Sequence, residues 1–386
     1  MTDGALTRLE HGLAALKADH LARRRPLLDG AQGAHVTIDG RRVVSFCSND
    51  YLGLANDPAL VAAAHAALDG CGVGAGAAHL ISGHHRLHLE FETDFAQWVG
   101  KPAALLFSTG YLANLAVVTA LISRRGEVFA DKLNHASLVD AAKLSGARFS
   151  RYRHGDLAQL ESRLAASTAR DRMIVSDLVF SMDGDVAPVD ALLDLAERYD
   201  AWLYLDDAHG FGVLNGGRGG LSERARASTR VIYLATLGKA AGVAGASVAA
   251  DGRVIEWLIQ TARPYIYTTA APPLLAAALR ESLRQIAAGA ARRGRLQRHV
   301  ARLRSGLGGL KNAVLADSFT PIQPLIVGAN ADALTLSQAL LQRGILVPAI
   351  RTPTVPANTA RLRITLSAAH SDADVARLVE TVHELA

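Results

Sequence analysis

Ala201-Trp202-Leu203-Tyr204-Leu205-Asp206-Asp207-Ala208-His209-Gly210 is the stretch on which the fold turns. Apolar and aromatic residues end abruptly in two carboxylates, an imidazole and a glycine. A buried strand reads this way where it reaches the ligand-facing edge of a sheet. A second stretch has the same form: Val231-Ile232-Tyr233-Leu234-Ala235 runs into Thr236-Leu237-Gly238-Lys239. Working outward, Ala104–Phe107 predicts a strand, followed by Ser108-Thr109-Gly110-Tyr111 and a helix over Tyr111–Ile122. Glu127–Ala130 predicts another, followed by Asn134-His135-Ala136-Ser137 and a helix near Ser137–Leu144. Met173–Phe180 predicts a strand ending in Ser181-Met182-Asp183-Gly184, and Pro188 stands at the first position of an amphipathic helix. Strands alternating with helices predict an α/β fold with a large, mainly parallel sheet covered on both faces.

The 386 residues are half apolar and one-fifth charged, which excludes a disordered chain. Lys and Arg total 41 against 36 acidic residues, a balance of +5. Arginine is scattered rather than gathered in a stripe or tail, so no nucleic-acid partner is expected. Lysine is scarce: Lys17, Lys101, Lys132, Lys143, Lys239 and Lys311 are all there is. Cys47 and Cys71 make neither a disulfide framework nor part of a metal-ligand cluster, so a reducing cytoplasm and no metal are expected.

Asp3, Glu10 and Asp19 break up the N-terminus, which is not read as a secretory signal. Leu6, Leu9, Leu13 and Leu16 recur at helical spacing and predict an amphipathic arm helix. Pro102–Ser123 is long enough to span a membrane, but Ser108, Thr109, Gly110 and Asn114 interrupt it, so no membrane partner is expected. After Pro272-Pro273 a long Ala/Leu/Arg helical stretch runs to about Leu310. A strand at Ile322–Val327, a helix at Ala331–Arg343, strands at Ile345–Val347 and Leu362–Leu366, and a helix from Asp372 follow. The expected division is an arm and small-domain segment over 1–50, a large domain over 51–275, and a smaller C-terminal α/β domain over 276–386.

In open α/β sheets ligands bind at the carboxyl ends of the strands. Those ends hold a Gly at a helix start, suited to a phosphate, together with His135, Ser181, Asp206, His209, Thr236 and Lys239. Each has an ordinary reading alone: a helix cap, a loop cap, a solvated charge. Their coincidence at five successive strand ends favours one site. Lys239 lies among small and apolar residues, where desolvation would depress its pKa and make it more nucleophilic. The other five lysines read as solvated surface residues. A Schiff-base lysine, a carboxylate for a pyridinium nitrogen and a phosphate cradle are what pyridoxal 5'-phosphate requires.

These residues resemble the α-oxoamine synthases, fold-type I pyridoxal-phosphate enzymes, over nearly the whole chain. The similarity includes Ser48-Asn49-Asp50-Tyr51-Leu52-Gly53-Leu54, Gly76 to Gly83, Ser108 to Asn114, Asn134 to Ser137, Phe180 to Asp185, Asp206 to Gly210, Thr236 to Lys239 and Arg361-Leu362-Arg363. His79-Leu80-Ile81-Ser82-Gly83, Ile322 to Gly328 and Arg351 to Pro356 are similar to the branch that condenses L-alanine with a pimeloyl thioester. The alternatives are a glycine C-acetyltransferase-like reaction of glycine with a short acyl-CoA and, more remotely, a non-catalytic cofactor-binding protein. One departure is Ala240-Ala241-Gly242, where the family often has Gly-Phe-Gly; it bears on local packing rather than chemistry.

The resemblance implies that Lys239 carries the cofactor and moves the Cα proton, and that Asp206 pairs with the ring nitrogen. It implies that His209 bonds the ring oxygen with Ser181 nearby, and that His135 stacks on the ring and assists acyl transfer. Gly110, Tyr111 and Thr236 would hold the phosphate, Arg363 the amino-acid carboxylate, and Arg23 and Thr354 the acyl substrate. A homodimer is implied, with Thr268 and Thr269 reaching the partner's phosphate. The acyl carrier, coenzyme A or acyl carrier protein, stays open.

Overall fold

A computed structural model of the chain describes residues 4–18 and 21–385; Asp3 and Asp19 lie outside them. The central sheet has seven strands: β1 (Ala103–Phe107), β2 (Glu127–Asp131), β3 (Arg148–Tyr152), β4 (Arg172–Asp177), β5 (Trp202–Asp206), β6 (Val231–Thr236) and β7 (Ala246–Ala250). Their order is β1-β7-β6-β5-β4-β2-β3. β7 runs antiparallel to both of its neighbours, and every other pairing is parallel. Strand alternation sends Leu203, Leu205, Val231 and Tyr233 into one apolar core and Tyr204, Ile232 and Leu234 into the other. Both faces are therefore buried, and polar chemistry is confined to the strand ends.

The expected β-strand over Met173–Phe180 stops at Asp177. Leu178 N–H still reaches Asp206 O at 2.8 Å, but the chain then folds back, with Val179 bridged to Val186. Leu178, Val179 and Phe180 are buried without joining the ladder. An apolar run records burial, and burial alone does not separate strand from packed loop. Pro188 is the N-cap of helix Val189–Arg198, not its first residue. The stretch after Pro272 is two helices, Pro273–Ala288 and Ala290–Gly306, broken at Gly289, where a Cβ would meet Gln285 O at 2.8 Å. β3 and β7 escape sequence reading because β3 is polar and β7 is mostly alanine.

Two smaller sheets flank the centre. Leu28–Asp29, His35–Ile38 and Arg41–Ser45 join Ile345–Leu346, whose pairing with Arg41–Ser45 is parallel. Val314–Leu315, Ile322–Gly328, Ala360–Thr365 and Ala349–Ile350 form the other, in that order. The arm helix spans Ala5–Ala18, and Leu6, Leu9, Leu13 and Leu16 on it are exposed. Among the described residues no helix is long and apolar enough to cross a membrane.

One surface assignment fails. Lys101 is only 6% exposed, and its ammonium donates to Ala225 O at 3.0 Å and Ser228 O at 2.8 Å. Burial first, then the Arg226 charge, lowers its pKa to about 8. A lysine whose acceptors are backbone carbonyls leaves no complementary acid to find in the sequence.

The turn after Lys239 packs closely around Ala240, Ala241 and Gly242, of which only the two alanines depart from the family pattern. Ala240 and Ala241 are buried, and a Cβ on Gly212 would lie 2.9 Å from the Ala240 Cβ. Gly242 has φ +72°, and a Cβ there would meet Ala55 N and Leu54 C at 2.6 Å. Gly242→Ala is expected to destabilise the fold by about 2–4 kcal/mol, combining left-handed strain with a backbone clash. Urea unfolding measures it; an unchanged midpoint would refute this packing.

Candidate active site

The site gathers where β4, β5 and β6 end. Asp177 and Asp206 are register partners on adjacent strands, and both are buried. Asp206 faces the site, where its Oδ2 accepts from Asn114 Nδ2 at 2.8 Å and its Oδ1 from Ala208 N–H at 3.1 Å. Asp207 points elsewhere, accepting from Gly220 N–H at 2.8 Å and Tyr233 OH at 2.7 Å. Burial pushes the Asp207 pKa up to about 7, and the group holds the 219–220 turn in place. The choice between the two adjacent carboxylates is thus made by their opposite directions.

Lys239 follows β6, and its Nζ lies 2.9 Å from His209 Nε2. Burial lowers the Lys239 pKa to about 8 against the upward pull of Asp206 and Asp177. His209 is held well below its ordinary range by burial and then by the Lys239 and Arg363 charges, so its imidazole is neutral. On its other side Nδ1 meets Tyr51 OH at 2.7 Å. Tyr51 OH also donates to Asn49 Oδ1 at 3.1 Å, and burial raises its pKa to about 12.

His135 caps helix Ala136–Ser145, and its N–H donates to Asp177 Oδ2 at 2.6 Å. Burial pushes Asp177 well up, with the Asp206 charge adding to it. His135 Nδ1 lies 2.7 Å from Ser137 Oγ and accepts Ser137 N–H at 3.3 Å. Asn114 Nδ2 also donates to Ser137 Oγ at 2.7 Å, while Tyr204 OH donates to Asn114 Oδ1 at 2.6 Å. This assigns Nδ1 as an acceptor and leaves Nε2 carrying the proton of the neutral ring. His135 itself is kept low by burial, partly offset by Asp206.

A cradle stands beside this cluster. Helix Gly110–Leu121 starts behind Thr109, whose hydroxyl accepts Leu112 N–H at 3.1 Å. A Cβ on Gly110 would lie 2.8 Å from Thr236 Oγ1, so only glycine lets this backbone approach that hydroxyl. First-turn N–H groups and a hydroxyl at one spot suit a phosphate. With the Asp206 carboxylate and the Lys239 amine, this donor set fits pyridoxal 5'-phosphate. The Tyr111 side chain takes no part in it: its hydroxyl donates to Asp140 Oδ2 at 2.5 Å.

Arg363 arrives from Ala360–Thr365, buried, with Nε donating to Ser181 O at 2.6 Å and Nη1 to Asn49 Oδ1 at 3.3 Å. Ser181 therefore meets the site through its backbone. Thr354 is exposed in the segment after Arg351, and Arg23 is exposed in the irregular chain following the arm helix. Neither is hydrogen-bonded to the cluster among the described residues. Thr269 pairs with Ala78 in an isolated bridge, and Thr268 precedes it on the surface segment. Sequence reading gave no role to Asn114, Asp177, Tyr51 or Asn49, although Asn49, Tyr51 and Asn114 lie in the stretches that carry the resemblance. Asn114 did carry a signal, as a polar interruption in an apolar helix.

A family model for aminotransferase class I and II matches residues 41–382. The 8-amino-7-oxononanoate synthase of Nitrosomonas eutropha is 57% identical over 382 residues, covering 98% of this chain and 98% of its own. The chain belongs to the 8-amino-7-oxononanoate synthase family. It is a fold-type I, pyridoxal-phosphate-dependent acyltransferase, in agreement with the resemblance read from sequence. Among solved structures, Sphingomonas wittichii serine palmitoyltransferase matches with a TM-score of 0.93 at 28% identity, covering 99% of this chain and 98% of that one. The 8-amino-7-oxononanoate synthase from Francisella tularensis matches with a TM-score of 0.77 at 32% identity, covering 89% and 97%.

Within this synthase-family fold, Asn114 joins Asp206 to Ser137 and His135. Asn114→Ala is expected to weaken pyridoxal-phosphate affinity roughly tenfold, the equivalent of one charge-assisted hydrogen bond. Equilibrium dialysis of the folded variant measures this, and an unaltered affinity would show that Asp206 needs no donor from Asn114.

Proposed function

We propose that this chain catalyses the decarboxylative condensation of L-alanine with a pimeloyl thioester, giving 8-amino-7-oxononanoate, carbon dioxide and the free thiol carrier in biotin synthesis. The observation that carries this reading is full-length identity of 57% to a synthase of that name, joined to a half-buried Lys239 amine 2.9 Å from His209 Nε2 at the strand ends that also carry the buried Asp206. When bound, the cofactor supplies an electron sink for the carbanion left as the amino acid loses its Cα proton.

The chain's own groups divide the remaining work. Lys239 Nζ is the amine that would hold the cofactor and then carry the Cα proton; an arginine there would stay protonated and do neither. The Asp206 carboxylate would hold the protonated ring nitrogen, and Asn114 keeps that carboxylate oriented. His209 would bond the ring oxygen. His135, with Nε2–H directed away from Ser137, would cover the ring face and assist acyl transfer. The Gly110 and Tyr111 amides and the Thr236 hydroxyl would take the phosphate. Arg363 would bind the alanine carboxylate, and Ser181 contributes the carbonyl that aims its guanidinium. Arg23 and Thr354 are the residues proposed for the acyl substrate. A homodimer in the cytoplasm completes the reading, with Thr268 and Thr269 reaching towards the partner's phosphate.

Product identification by mass tests the reaction, with L-alanine offered against pimeloyl-CoA and pimeloyl-acyl carrier protein. Formation of 8-amino-7-oxononanoate by the wild type is expected, with Lys239→Ala slower by at least ~10²-fold. A preference for glycine and acetyl-CoA would overturn the assignment. The Lys239 amine is nucleophilic only when neutral, and its pKa is about 8. Uptake of cofactor by the apoenzyme is therefore expected to quicken as pH rises through about 8 and then level off. A rate that is flat from pH 6 to pH 10, ~two units either side, would contradict the role of this amine.

A further inference from the structure

Three histidines that the reaction does not use lie together at the start of helix Arg86–Val99. His79 opens the turn His79–Gly83, His84 follows that turn, and His88 sits in the helix. One ring nitrogen from each lies within 4.8 Å of the other two, and His79 Nδ1 is 2.9 Å from His84 Nδ1. Three nitrogens at ~2.0–2.1 Å from a tetrahedral ion stand roughly 3.3 Å apart. The one close pair is about 0.4 Å tighter than that and no pair exceeds 4.8 Å, so the three nitrogens stand near the spacing such an ion requires.

We propose that His79, His84 and His88 form a site for a borderline divalent cation of the zinc(II) class, with water completing its coordination. Three imidazoles without a thiolate suit zinc, nickel or copper(II), and no carboxylate belongs to the cluster to favour magnesium or calcium. The surroundings are those of ligating histidines. His88 Nε2–H donates to Ala271 O at 2.8 Å, which fixes the tautomer and leaves the lone pair on Nδ1. That Nδ1 accepts His85 N–H at 3.0 Å, a helix-capping bond that a metal–nitrogen bond would replace. The His79 ring stacks on Tyr265 at 4.8 Å between centroids with planes 14° apart, which limits its orientations. His84 is exposed and gives the ion its entry.

Such an ion would fasten the 79–83 turn to helix Arg86–Val99 and, through Ala271 and Tyr265, to segment 265–271. Its role is to rigidify this corner, so binding is read as stability rather than turnover. Untagged holoenzyme, stripped with a chelator and free of amino acid, is titrated with zinc chloride by calorimetry. One equivalent per chain is expected, with a rise in unfolding temperature at saturation. His84→Ala is expected to weaken the affinity at least ~10-fold and remove that rise, whereas His65→Ala, on an exposed face, keeps both. His84 is the variant of choice because His88 also caps its helix and holds Ala271. Cobalt(II) in place of zinc gives an independent readout, a d–d spectrum that His84→Ala abolishes. Absence of a stoichiometric equivalent, or binding equal in wild type and His84→Ala, overturns the site.

Discussion

Asp177 and Asp206 end adjacent parallel strands in register, and the cost of placing two buried carboxylates side by side governs the site around them. Like charges at that spacing cannot both ionise cheaply. Burial and the Asp206 charge push Asp177 up, and the backbone N–H of His135, donated to its Oδ2, opposes that shift. Asp206 keeps two donors, from Asn114 and from Ala208 N–H. Lys239 feels both acids, and their pull opposes the desolvation that would lower its amine further. Desolvation thus lowers the amine, the pair limits how far, and Asp177 fixes the backbone of His135 opposite it.

A second chain of contacts ties this amine to the small sheet. Arg363 donates to Asn49, Tyr51 donates to Asn49, and Tyr51 touches His209, which touches Lys239. His209 is neutral, so only one of its nitrogens carries a proton. When Tyr51 donates to Asn49, His209 Nδ1–H can donate to the tyrosine oxygen, and Nε2 accepts from a protonated Lys239. When Tyr51 donates to Nδ1, Nε2–H faces Lys239, which must then be the neutral amine to accept. The hydroxyl of Tyr51 is therefore linked to the proton state of Lys239, and Arg363 bears on it through their shared acceptor.

The strand ends were legible because a two-sided sheet needs near-continuous apolar runs, so the first polar residue after each run marks an edge. Asp206 and Thr236 are those first polar residues, His209 and Lys239 follow them within the same turns, and the resemblance placed Arg363. The residues that orient them were not legible. Asn114 acts across 92 positions on Asp206, and Tyr51 across 158 on His209, distances no local pattern encodes. Lys101 misled because backbone carbonyls, which every residue has, satisfy it. The three clustered histidines were hidden for a related reason. His84 and His88 are four apart, but His79 joins them only through the turn that His79–Gly83 makes.

The early end of β4 shows how an apparent error in a strand boundary carries function. Had the ladder continued to Phe180, Ser181 and Asp183 would extend along the sheet. Instead Leu178–Ala187 folds back on itself and meets the small sheet. Arg363 grips Ser181 O, and Arg361 donates to Met182 O at 3.2 Å and Asp183 Oδ1 at 2.6 Å. Ser318 and Thr320 hydroxyls donate to Gly184 O at 2.8 and 3.0 Å, and Gly184 has φ +75° with no room for a Cβ beside Ile322 O. From the other side His154 lies between Asp131 and Asp185, whose carboxylates raise it to about 10 and keep it charged at neutral pH. The guanidinium proposed to bind the amino acid is thus aimed by a loop that is itself held at both ends.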